Sequence, residues 1–101
     1  MRKHTKIYLN TIYPHWGPDD VFVCEICGKP AVDIHHIKSR GMGGTKSKDK
    51  IENLMGLCRE DHVKYGDKKQ FMDFLIERHF EFLLIRKVTF DKDFFENSFA
   101  L

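Results

Sequence analysis

Cys24 and Cys27 are separated by two residues, a third cysteine stands at Cys58, and the protein has no other. His35-His36 and His62 lie between and just beyond them, half of the six histidines. Thiolates and imidazoles are the ligands of zinc and of its first-row neighbours. Two thiolates in C-x-x-C spacing across a tight turn can bind one tetrahedral cation. A helix presents positions three or four apart on one side, so Cys58 can join them, with Asp61 or His62 as fourth ligand. The competing reading is three buried, reduced cysteines. His35 and His36 are neighbours on a β-prone stretch, where adjacent side chains point to opposite sides. They are therefore not expected to share one metal. One can be a ligand while the other, with an imidazole that titrates near neutrality, works as a general base.

These residues need a turn, a strand and a helix to position them. Val21-Phe22-Val23 is β-prone and leads into Cys24. Gly28-Lys29-Pro30 is turn chemistry, and Ala31 to Ile37 reads as a second strand. Together they predict a hairpin whose first arm carries the cysteine knuckle. Ser39 to Asp49, with Arg40-Gly41-Met42-Gly43-Gly44, reads as a long basic loop. Loops of that length in small domains are uncommon unless functional. Without a strand–Gly-loop–GK[ST] context it is not a P-loop. Asn53-Leu54 opens a short apolar segment, and a helix is expected from near Cys58, its early acids suiting the helix dipole, until Gly66. Residues 4–13 predict a short helix ended by Pro14. Trp16 reads as a core or lid aromatic, with base stacking the alternative. A further helix is expected from near Asp67, with Phe71, Phe74, Leu75 and Ile76 as its core face; Phe82 to Phe90 continues it or is extended.

At 101 residues the chain reads as one domain, with a core over about 20–66 and a helical extension over about 67–101. A hydrophobic fraction of 42% and a charged fraction of 32% fit a soluble globular protein whose modest core a structural metal would help to fix. An odd cysteine number argues against a disulfide framework and for metal binding in a reducing cytosol. No signal peptide or membrane-spanning run is visible, so a cytoplasmic setting is expected. Net charge is only +2, but Lys38, Arg40, Lys46, Lys48 and Lys50 face a single acid, Asp49, over 38–50. Such a segment suits a phosphate backbone, and a solvated loop is the plainer alternative.

In order, C-x-x-C, His-His-Ile, Gly-Gly, Asn-Leu and Leu-Cys-x-x-x-His resemble the HNH endonucleases over roughly residues 20–66. The resemblance implies an α+β fold: a small ββα-metal (HNH) core with a zinc knuckle hairpin of the treble-clef kind, here with flanking N-terminal and C-terminal helices. It also implies a metal-dependent DNA endonuclease that hydrolyses phosphodiester bonds and leaves 5′-phosphate and 3′-hydroxyl ends. His36 matches the general base. His35 and His62 match the ligands of a single catalytic divalent metal, and Asn53 matches the asparagine that pins the loop and the base-bearing strand. A bacterial or phage-infected cell is the implied setting.

Two positions depart from the family pattern. Many relatives have cysteine where this chain has Asp61, so the structural zinc is expected on Cys24, Cys27 and Cys58, with Asp61 an oxygen ligand or the set incomplete. Some relatives place a histidine where this chain has Gly66, so water or phosphate oxygen is expected to take that coordination place. The catalytic cation is expected among manganese, nickel, cobalt, zinc and magnesium, and two imidazoles favour manganese, nickel or cobalt over magnesium. Lys38, Arg40, Lys46 and Lys48 are the expected DNA contacts, with low sequence specificity or the help of a protein partner. A double-strand break would need two chains or two successive nicks. The rival function is a non-catalytic, zinc-stabilised nucleic-acid-binding module with a Cys24, Cys27, Cys58, His62 site; a zinc-stabilised protein-interaction domain is a further one. The orientation of His62, toward the cysteines or toward His35, separates the first two.

Overall fold

The computed structural model describes residues 2–17, 20–38 and 49–95. Its centre is an antiparallel pair of strands, β1 (Asp33–His36) and β2 (Leu54–Leu57), in the register Asp33↔Leu57, Ile34↔Gly56, His35↔Met55, His36↔Leu54. Opposed residues share a face. Ile34, His36, Leu54 and Gly56 therefore look one way, and Asp33, His35, Met55 and Leu57 the other. Every residue of β2 is buried, which explains why Leu-Met-Gly-Leu is an uninterrupted apolar run rather than an alternating one.

Among the described residues, α1 (Lys3–Ile12), α2 (Arg59–Tyr65) and α3 (Met72–Ile85) cover the pair. α1 lies over the first face, where Tyr8, Leu9 and Ile12 pack with Leu54 and Leu83. Met55 and Leu57 on the second face pack with Cys24, Ile37, Cys58 and Leu75. α3 serves both clusters through Leu75, His79 and Leu83, which recur every fourth residue along one stripe. At Gly56 an added Cβ would lie 2.9 Å from the Tyr8 hydroxyl, so glycine there lets α1 approach β2. The fold is α+β, with two strands followed by a helix at its heart. Among the described residues no helix is long and apolar enough to cross a membrane.

The hairpin expected from Val21 to Ile37 is reduced to one bridge, Val23 with Pro30. The segment before Cys24 is too short to zip further, and β1 takes β2 as its partner instead. The bridge still closes the knuckle: Cys24 donates its backbone N–H to Lys29 at 2.7 Å, and Gly28 sits at φ 79° in the turn. Glu25 N–H to Gly56 O and Val32 N–H to Leu57 O dock the knuckle on β2.

Two helix boundaries also differ from expectation. Asp67 has φ 59°, a left-handed backbone that interrupts helix rather than starting it. A 3₁₀ turn at Lys69–Phe71 follows, and α3 begins at Met72. Of the expected Phe71-Phe74-Leu75-Ile76 face, Leu75 is buried and Ile76 packs against its cluster, whereas Phe74 is 36% exposed and packs against Tyr65, and His79 takes a further core position. α3 ends at Ile85, with Lys87 at φ 59° just beyond. Trp16 is half-buried and lines an open cleft of about 400 Å³ with Tyr13, Pro14, His15, Asp20 and Val21.

Candidate functional site

β1 places Asp33 and His35 on the face toward α2, as residues two apart on a strand must be. Four residues into α2, His62 meets both. Its ring lies 4.8 Å from that of His35, centroid to centroid, and its Nδ1 is 2.9 Å from Asp33 Oδ2. An ionised carboxylate only accepts, so Nδ1 carries the proton and Nε2 keeps its lone pair. Arg59 approaches the other Asp33 oxygen at 3.4 Å. His35 is 4% exposed, and its Nε2 is buried with no hydrogen-bond partner. Burial, reinforced by the neighbouring His62, pushes the His35 imidazole down to about 4. The neutral ring, the form that ligates metal, is thus favoured.

Asp67 completes this group: one ligand atom from each of His35, His62 and Asp67 lies within 4.8 Å of the others. The left-handed turn after α2 brings Asp67 back toward the two rings. Two imidazoles and a carboxylate suit a borderline divalent cation, and the orphaned His35 Nε2 is the atom such a cation would satisfy. The coordination place expected to fall to water or phosphate is thus faced by Asp67. Gly66 makes room: a Cβ there would sit 2.5 Å from His62 Cδ2 and 3.3 Å from His35 Cε1.

A separate group gathers Cys24, Cys27, Cys58 and Asp61, again within 4.8 Å. Cys27 and Cys58 sulfurs are 3.7 Å apart, close to the roughly 3.8 Å edge of a tetrahedron with Zn–S bonds of about 2.3 Å. Asp61 Oδ2 lies 3.2 Å from Cys24 Sγ and 3.3 Å from Cys58 Sγ. Cys58 is also the N-cap of α2, its sulfur accepting from the Asp61 N–H. The cap points Asp61 toward the knuckle and leaves His62, next in sequence, to face β1. Burial raises the Cys58 thiol. Burial would raise Asp61 too, but hydrogen bonds from the Cys27, Cys24 and Cys58 thiols outweigh it and hold the carboxyl low. The donor set fits zinc, with Asp61 rather than His62 in fourth place. A Cys24, Cys27, Cys58, His62 site does not form.

His36, next to His35 on β1, points to the opposite face of the strand. Its Nε2 is 2.8 Å from Asp49 Oδ1, and its ring meets that of His4. Asn53 is fully buried and clips the strand end: Oδ1 accepts from Lys38 N–H at 2.7 Å, and Nδ2 donates to Lys38 O at 3.0 Å. Its own N–H donates to Lys50 O at 2.8 Å, so one residue holds both sides of the intervening loop. Lys38 is half-buried at that strand end. The loop itself, and with it Arg40, Lys46 and Lys48, lies outside the described residues.

Sequence reasoning missed four site residues. Asp33 was legible, being two positions before His35 on a strand. Asp49 stood out as the one acid in a basic stretch. Asp67 depends on a left-handed turn, and His4 on the packing of α1, and neither has a local signal. Residues 24–68 match the family model described as HNH endonuclease. No curated protein and no solved structure matches the chain.

Proposed function

From the premise that this chain carries an HNH endonuclease domain over residues 24–68, we propose that it is a metal-dependent DNA endonuclease working as one domain. A nuclease-type function with metal binding follows from the domain; the residue roles and the substrate are our reading. The observation that carries it is the direction of His62, which turns to His35 and Asp33 while Asp61 turns to the cysteines. The two donor sets are thereby kept apart, one for structure and one for chemistry.

His35, His62 and Asp67 would hold the catalytic divalent cation, with manganese, nickel, cobalt or zinc favoured over magnesium by the imidazoles. Bound there, the cation would supply Lewis-acid stabilisation of the phosphate and of the departing 3′ oxygen. Asp33 fixes the tautomer of His62. His36 takes a proton from the water whose oxygen bonds to phosphorus. The P–O3′ bond breaks, and the 3′ oxygen gains a proton from solvent. Asn53 holds the strand end that carries His36. Cys24, Cys27, Cys58 and Asp61 would hold structural zinc. Lys38, Arg40, Lys46 and Lys48 would bind the phosphate backbone, an interaction with little sequence information, so specificity is low or comes from a protein partner.

Supercoiled plasmid incubated with the purified protein and manganese tests this. We expect nicking by the wild type and none by His36→Ala, which should keep its zinc. An inert wild type, or equal nicking by His36→Ala, would overturn the reading.

A further inference from the structure

Asp49 stands outside the two groups described above and forms a third with His4 and His36, their ligand atoms within 4.8 Å of one another. Its side chain is 4% exposed, and Oδ1 stands 2.8 Å from His36 Nε2. The 3₁₀ turn at Ile51–Asn53 begins two residues later, and Asn53 ties that turn through Lys50 and Lys38 to the end of β1. Asp49 is therefore held at a fixed height beside the ring. On another side the His4 ring, from the first turn of α1, meets the His36 ring in a T-shaped contact at 4.7 Å between centroids. A ring contact from a separate element and a buried carboxylate together restrict both the tilt and the flip of the imidazole.

We propose that Asp49 is the positioning residue of His36: it holds the proton on Nε2 and leaves Nδ1 as the nitrogen that accepts the proton of the attacking water. An ionised carboxylate has no proton to give, so the hydrogen of this contact sits on Nε2. The one lone pair remaining in the ring plane is then on Nδ1. When Nδ1 takes the water's proton, the ring becomes an imidazolium, and the carboxylate at 2.8 Å stabilises its charge without itself being protonated. The water O–H bond breaks, its oxygen bonds to phosphorus, and the carboxylate ends the step unchanged. The catalytic part of this inference rests on His36 as the base; the pairing and the tautomer do not.

The test uses the full, zinc-loaded chain with ¹⁵N-labelled histidine. Long-range ¹H–¹⁵N spectra should show His36 protonated at Nε2 and bare at Nδ1 in the wild type. In Asp49→Ala that preference should vanish, and kcat for plasmid nicking should fall by roughly 100-fold. KM for DNA and manganese affinity should hold, because His35, His62 and Asp67 are untouched. Asp49→Asn, which keeps volume but can turn either its oxygen or its NH2 to the ring, should loosen the tautomer preference and lower kcat. If Asp49→Ala does not fold, the wild-type spectrum and the Asn variant decide. An Nδ1–H tautomer in the wild type, or an unchanged kcat in a folded Asp49→Ala, would overturn the proposal. A fully active His36→Ala beside an Nε2–H wild type would instead overturn the base reading and leave the pairing standing.

Discussion

Asp33 touches His62 from outside the His35, His62 and Asp67 set, and its effect should be felt through that ring. A histidine that ligates a metal needs its other nitrogen anchored, and loss of such an anchor typically weakens metal affinity by 10–100-fold. Asp33→Ala should therefore lower manganese affinity by about that factor in calorimetric titration, with zinc content unchanged. The accompanying loss of the Arg59 contact should add little, since the Arg59 side chain is 71% exposed. A variant with unaltered manganese affinity would show that His62 is held by packing alone.

At the scale of elements, the cysteine group joins a knuckle that has one bridge of its own to a helix of seven residues. Neither piece is stable in isolation. A cation shared by Cys24, Cys27, Cys58 and Asp61 would cross-link them, so chelation should lower the melting temperature of the whole chain. Asp61→Cys should strengthen zinc retention against a chelator, and Asp61→Ala should weaken it; the order can be read by competition with a chromogenic zinc indicator. The pH dependence follows from Cys58. Its thiol is raised above the ordinary value by burial, so the proton competes with zinc across the neutral range. Zinc affinity should accordingly fall as pH falls, with proton release on binding. Calorimetry in buffers of different ionisation enthalpy counts those protons, and zero release would contradict a thiolate site.

Across the whole molecule, one buried network ties the flanking helices to the centre. Tyr8 of α1 donates its hydroxyl to Glu25 Oε2, and Gly56 of β2 donates its N–H to the same oxygen. His79 of α3 bonds Glu25 Oε1 through Nδ1 and the Ile51 carbonyl through Nε2, both at 2.6 Å. Burial, and then the Glu25 carboxylate, push the Tyr8 phenol far above its ordinary value, so it stays a donor. His79 and Glu25 side chains are both fully shielded from solvent. Removing one partner of such a pair strands the other, so His79→Ala should cost roughly 3–5 kcal/mol in urea unfolding of the zinc-loaded protein. A cost under about 1 kcal/mol would mean that water replaces the ring without penalty.

Residue types and short spacings were enough to single out most members of the two ligand groups that the fold brings together. C-x-x-C, Cys58-x-x-Asp61, His35-His36 and the cap at Cys58 are local, and local geometry makes neighbours of residues two to four apart. The same locality foresaw α1, α2 and the stop at Gly66. Partnership between distant segments was decided by packing: β1 pairing with β2 instead of the knuckle arm, His79 entering the core to meet Glu25, Asp67 turning back through a left-handed residue, and His4 reaching His36. Those contacts join residues 5 to 54 positions apart, whose proximity no propensity or period encodes. Why Asp61 and His62, adjacent in the chain, serve opposite groups was likewise settled only when α2 docked between the knuckle and β1.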